Sequence, residues 1–219
     1  GGGVGDPVHQ GDPLTQGERP LVAVLDYGIG NLRSAQKALE HLGADARLTA
    51  DAGLIADAAG VVLPGVGAFG ACMAALHRTG LDELSHTAVA SGRPFLGICV
   101  GMQLLYAASE EDPGVTGLGV LPETVRQLPD GVKHPQMQWN ILRAHGEPAM
   151  LAGVDDPTWV YFVHSFAPEA GPGVVATCDY GGDVVAGVER DNVWAMQFHP
   201  EKSGRAGQQI LANFLGRLA

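Results

Sequence analysis

PFLGICVGMQLLY, residues 94–106, decides the reading of this chain. Its first half is a short apolar run of the buried-strand kind, and from Val100 the apolar residues of VGMQLLYAAS (100–109) recur at helical spacing. A strand therefore passes directly into a helix at Gly97-Ile98-Cys99-Val100-Gly101, a G-x-C-x-G turn that is the cysteine version of the nucleophile elbow. The turn crowds its neighbours, which is why glycines stand two positions either side, and it lifts the central side chain above the sheet. There the positive end of a helix favours the thiolate, the form that attacks. For Cys99 taken alone, a small buried cysteine ending a core strand is the alternative.

Working outward, LVAVLDY (21–27) is another buried-strand run, and NLRSAQKALEHLG (31–43) follows with helical spacing and a glycine stop. ARLTA (46–50) and GVVLPG (60–65) read as further strands, with a short helix from Asp51 between them and a helix over 70–79 after. Such alternation marks a sheet covered by helices. The second half changes character: VTGLGVLPETVRQL (115–128), TWVYFVHSFAP (158–168), GVVATCDY (173–180), DVVAGVER (183–190) and NVWAMQFHP (192–200) set β-branched and aromatic residues between Gly, Asp and Pro turns. These are mostly strands, some antiparallel, and RAGQQILANFLGRL (205–218) closes as a helix. The expected architecture is α/β, one domain over 21–219 with a mixed, mostly parallel central sheet flanked by helices. Residues 1–20, rich in Gly and Pro and without hydrophobic periodicity, are expected to be a flexible extension, native or left from cloning.

Composition narrows the function. Of 219 residues 46% are hydrophobic and 17% charged, enough apolar matter for a buried sheet and too little charge for a disordered chain. Thirteen basic against twenty-four acidic side chains give a formal charge of −11, which repels phosphate backbones and anionic membrane surfaces, so neither nucleic acid nor membrane is expected as a partner. The sequence has no run of about 18 apolar residues and no signal-peptide pattern. Three cysteines cannot all pair, and none lies in a Cys-x-x-Cys spacing. A reducing, cytoplasmic setting with no metal and no cofactor is expected.

A thiol nucleophile needs an imidazole to take its proton and return it to the leaving group. Among eight histidines His199 stands out, ending the strand NVWAMQF before Pro200 and Glu201. Proline holds the preceding residue extended and fixes the direction of the chain, so His199 and Glu201 point to a common side, where the carboxylate can hold the imidazole tautomer. An ordinary surface H-P-E turn is the alternative for the tripeptide alone.

For the oxyanion of the tetrahedral intermediate, the Val100 amide stands ready by position, and a second donor is expected from Pro64-Gly65-Val66-Gly67, at Val66 or Gly67, by a peptide flip that glycine permits. An ordinary strand-to-helix turn is the alternative there. Gln103, one helical turn beyond Cys99, shares its face and is a candidate for binding a polar head group. His164 and Ser165 end the strand TWVYFV and enter the cleft, unless His164 is a core histidine with its hydrogen bonds satisfied. Cys72 and Cys178 read as structural. The loop Asp26–Asn31 invites a dinucleotide reading, but Arg33 stands where that fingerprint requires its third glycine.

PGVG, GICVGMQ and HPE in this order resemble the triad-type (class I) glutamine amidotransferase family. Within it, LDYGIGNLRS (25–34), LPGVGAFG (63–70), LGICVGMQLLY (96–106), MQWN (137–140), YFVHSF (161–166) and QFHPEKSG (197–204) are similar to the glutaminase subunits of imidazole glycerol phosphate synthases. The resemblance implies glutamine as substrate, Cys99 as nucleophile, His199 as base and Glu201 as its orienter. It further implies Gln103, Ser165 and Phe166 in glutamine binding. A heterodimer with a (β/α)8-barrel cyclase subunit is implied too, approached by Trp139, Asn140, Tyr161 and Lys202. One departure stands out. Gln136 and Gln138 occupy positions where the family more usually has His and Gly, and Gln138 adds bulk and narrows the backbone options.

Overall fold

The computed structural model describes residues 19–29 and 32–218. The expected extension over residues 1–20 therefore falls, except for its last two residues, outside the described ones. In chain order the elements are β1 (Leu21–Leu25), α1 (Arg33–His41), β2 (Asp45–Thr49), α2 (Ala52–Asp57), β3 (Gly60–Leu63), α3 (Phe69–Thr79), α4 (Leu81–Ala90), β4 (Phe95–Ile98), α5 (Val100–Leu104) and β5 (Tyr106–Ser109). Then come β6 (Leu121–Gln127), β7 (Gln136–Ala144), β8 (Thr158–His164), β9 (Phe166–Pro168), β10 (Val174–Asp179), β11 (Asp183–Arg190), β12 (Val193–Met196) and α6 (Gly204–Leu215).

The central sheet has nine strands in the order β2-β1-β3-β4-β12-β11-β10-β7-β8. From β2 to β12 neighbouring strands run parallel, and from β12 to β8 they run antiparallel. The parallel part explains the unbroken apolar runs: Val22–Leu25 and Val61–Leu63 have no exposed surface because helices cover both faces. Burying each such Val or Leu side chain is worth about 1.5–3 kcal/mol. Helices α1 and α6 pack against each other, while α2 and α3 pack against α4.

Three features depart from the sequence reading. Helix α5 ends at Leu104 rather than running to 109, because Tyr106 begins β5 and pairs in parallel with Leu121 of β6. Tyr106 is 2% exposed, so burial of its ring overrides the helical preference of the alanines that follow. β5, β6 and β9 form a separate three-stranded sheet. Helix α4 was not anticipated; Gly80, at φ 72, closes α3 and starts α4 with Asp82 and Glu83 in its first turn.

Candidate active site

β4 and β12 are parallel neighbours with Ile98 opposite Met196. The residues beyond their carboxyl ends, Cys99 and His199, therefore emerge over the same edge of the sheet, where open α/β sheets gather their ligands. They lie far apart in the domain's sequence and meet because β12 returns to the middle of the sheet.

Cys99 adopts φ 55 and ψ −117, a strained conformation that persists only where surroundings enforce it. Its N–H donates to the Met196 carbonyl at 2.8 Å. Gly101 passes so close to β3 that a Cβ there would land on the Leu63 carbonyl, which is why the elbow needs glycine two residues after Cys99. Cys99 is only 3% exposed, and its Sγ lies 3.8 Å from the Val163 carbonyl oxygen.

His199 has the extended backbone, φ −95 and ψ 99, that a following proline favours. Its N–H donates to the Tyr161 carbonyl at 3.0 Å. Pro200–Lys202 make a short 3-10 turn that folds Glu201 back, placing Oε1 2.7 Å from His199 Nδ1. The Ser203 hydroxyl donates to the His199 carbonyl at 2.6 Å and closes the turn. Burial disfavours the imidazolium, but hydrogen bonds to Cys99 and to Glu201, with their charges, outweigh it and push His199 up to about 10. A charged imidazole beside the Cys99 sulfur suits chemistry in which a thiol gives up its proton.

A cavity of about 360 Å³ opens beside Cys99, lined also by His199, Gln103, Ser165, Phe166, Val66, Gly67 and Lys202. Both N–H groups of Gln103 are already used, one to the Phe166 carbonyl at 3.0 Å and one to Gln197 Oε1 at 3.1 Å. What Gln103 offers the cavity is its carbonyl oxygen, an acceptor. His164 also lines it, with Nδ1 2.9 Å from the Phe166 carbonyl.

The two segments expected to supply the oxyanion donors are hydrogen-bonded to each other. Val100 N–H is not free; it donates to the Gly65 carbonyl at 3.3 Å. That carbonyl, rather than an N–H, faces the start of α5. Tyr27 Oη donates to the Pro64 carbonyl at 2.5 Å and Cys72 Sγ to the Val66 carbonyl at 3.3 Å, tying the turn on either side.

Glu111, which the sequence reading passed over, also lines the cavity. Its Oε2 accepts from Phe69 N–H at 3.3 Å, and burial raises its pKa, helped by neighbouring Asp112 and opposed by the Phe69 hydrogen bond. Glu110, Glu111 and Asp112 look like a solvated acidic loop, and only the packing of that loop on the start of α3 brings one carboxylate into the site.

Beside the cavity, β7 and β8 present an apolar face. Trp139 and Tyr161 are register partners with ring centroids 5.9 Å apart, and Met137, Trp139 and Trp159 are 62%, 47% and 49% exposed. Asn140 is half-buried beside Trp139, and Lys202 is exposed. Among the described residues no helix is long and apolar enough to cross a membrane.

Residues 23–218 match the family described as glutamine amidotransferase class-I. The imidazole glycerol phosphate synthase subunit HisH of Methanothermobacter thermautotrophicus is 47% identical over 196 residues, covering 89% of this chain and 98% of that protein. HisH of Thermobifida fusca is 46% identical over 211 residues, covering 91% of this chain and all of that protein. Among solved structures, PurLQS from Thermotoga maritima superposes with a TM-score of 0.73 at 21% identity, over 92% of this chain and 100% of that one. A glutamine amidotransferase gives a TM-score of 0.70 at 22% identity, over 89% of this chain and 98% of that one. These structures share the fold.

Proposed function

The chain belongs to the class I glutamine amidotransferase family, and on that premise we propose that it is the glutaminase subunit of an imidazole glycerol phosphate synthase, hydrolysing glutamine and passing the ammonia on. The observation that carries this is the meeting of Cys99, His199 and Glu201 at one sheet edge beside a cavity of amino-acid size.

The Cys99 thiolate attacks the side-chain amide of glutamine, and His199 gives its proton to the departing ammonia. Water then hydrolyses the thioester with His199 as base, releasing glutamate. Glu201 holds Nδ1 so that Nε2 serves the sulfur. The oxyanion is held by the Val100 N–H together with an N–H of the Val66–Gly67 turn, once the Gly65 carbonyl has swung away. Glu111 supplies a carboxylate for the α-ammonium of glutamine, and the Gln103 carbonyl, with Ser165 and Phe166, completes the head-group site.

Ammonia released into water becomes ammonium, so the product needs a covered exit. The apolar face around Trp139 and Tyr161, with Asn140 and Lys202 at its edges, suits the (β/α)8-barrel cyclase as its cover, forming a heterodimer in the cytoplasm. The test is co-purification with that cyclase and an assay of glutamine-dependent imidazole glycerol phosphate formation. A complex that forms and makes no product from glutamine, while making it from ammonia, refutes the reading.

A further inference from the structure

Gln136 is fully buried, and its amide stands between two other polar groups: Nε2 lies 2.7 Å from His164 Nε2, and Oε1 accepts from Asn140 Nδ2 at 2.9 Å. The polarity of this chain of contacts can be deduced from its ends. Asn140 Nδ2 also donates to the Asp179 carbonyl at 3.0 Å, and Asn140 Oδ1 accepts from the Ile141 N–H at 2.8 Å. A backbone carbonyl only accepts and a backbone N–H only donates, so the Asn140 amide has one possible orientation.

Its NH2 group therefore faces Gln136, which must answer with its carbonyl and turn its own NH2 toward His164. His164 Nε2 must then be a bare lone pair. The far end agrees: His164 Nδ1 meets the Phe166 carbonyl, another obligate acceptor, so the ring proton belongs on Nδ1. Two independent ends dictate the same neutral tautomer.

We infer that Gln136 is a positioning residue, locking His164 as the neutral Nδ1–H tautomer and thereby fixing the Phe166 carbonyl that orients Gln103 in the substrate cavity. The inference rests on the glutaminase reading only for what the cavity binds. Phe166 O receives both His164 Nδ1–H and Gln103 Nε2–H, so turning the imidazole over would remove one donor and release the carbonyl against which Gln103 is set. Protonating Nε2 would set an N–H against the NH2 of Gln136, and burial already holds His164 down to about 4, with the charge of His199 acting the same way. The titratable groups around it are His199, beyond β12, Cys99, Glu111 and Lys202 in the walls of the same cavity, and Cys178 of β10, whose Sγ lies 3.8 Å from Gln136 Nε2. An imidazole at position 136 would change its own donor pattern on titration. A glutamine amide cannot.

The experiment is two-bond 1H–15N correlation spectroscopy of the uniformly 15N-labelled full chain, paired with glutamine kinetics of its complex. In the unmodified protein His164 is expected to keep a protonated Nδ1 and a bare Nε2 from about pH 8 down to about pH 5.5. Gln136→Glu puts an acceptor against Nε2, so the ring should gain an Nε2 proton while the glutamine KM rises about tenfold and kcat changes less. Gln136→Met removes both hydrogen bonds at similar volume, and should give mixed tautomers and a raised KM. An Nε2–H tautomer in the unmodified protein overturns the inference, whether or not the variants fold. An unchanged His164 spectrum in Gln136→Glu overturns it as well. Failure of the unmodified complex to hydrolyse glutamine counts against the glutaminase reading instead, because the tautomer is read without turnover.

Discussion

The Gly65 carbonyl accepts the Val100 N–H at 3.3 Å, so the donor best placed for the oxyanion is occupied by the protein itself. One missing donor costs about 10²–10³ in kcat. The isolated chain is therefore expected to hydrolyse glutamine about 10²–10³ more slowly than its complex with a substrate-loaded cyclase. A glutaminase assay with and without the loaded partner decides it, and equal rates would sink the idea. Gly65→Ala would bring a Cβ within 2.5 Å of Tyr27 Oη and 2.9 Å of Gly101 N. Its glutaminase rate should fall even in the complex, because the added methyl pushes the turn against Tyr27 and against the start of α5 beside Cys99.

Cys99→Ala is expected to abolish glutamine-dependent product formation in the complex and leave ammonia-dependent formation within about twofold, since the thiol acts only before ammonia is released. Loss of both activities would indicate disrupted assembly, checked by size-exclusion chromatography of the variant with its partner.

Opposed by burial, the pairing of His199 first with Cys99 and then with Glu201 sets a pH dependence on stability. At pH values below the unbound imidazole value of about 6.5 both folded and unfolded chains hold the proton, and the pair contributes fully. Between there and about 10 only the folded chain keeps it, so this contribution fades as pH rises through that window. Glu201→Gln removes one of the charges that holds the proton, and the alkaline fall in Tm should begin nearer neutrality. Calorimetry of both proteins across that range tests this; superimposable pH profiles contradict it. His164 acts with the opposite sign. It is held down to about 4, so its contribution is intact above about 6.5 and lost as pH falls from there toward 4.

Trp139→Ala should leave the fold unchanged, because the ring is 47% exposed and touches Tyr161 across the strand pair. Exposed aromatic anchors of this kind contribute about 2 kcal/mol or more to assembly. Binding of the cyclase should weaken by at least about thirtyfold in a calorimetric titration, while the Tm of the free chain moves little.

What the sequence made legible was local. The elbow around Cys99 is a strand-to-helix turn with glycines at fixed offsets, and His199 with Glu201 is a tripeptide whose direction a proline sets, so neighbouring residues alone define both. Glu111 escaped because its contact with α3 joins residues 42 apart, and a run of acidic residues otherwise reads as a solvated loop. The short α5 escaped for a related reason: a strand partner 15 residues further on, Leu121 for Tyr106, decides against helix where local preference favours it. Which way the Gly65 carbonyl points is illegible in principle, since both orientations of that peptide have the same sequence.

The insertion of β12 between β4 and β11 also fixes an order of events. Phe95 pairs with Val193, so the strand that carries the thiol waits for a segment made much later on the ribosome before its base arrives. Until that closure, which a pairing so distant in sequence makes slow, a nascent chain has a cysteine and no imidazole to activate it. On the proposed roles of Cys99 and His199, newly made protein thus hydrolyses no glutamine until β12 has joined the sheet.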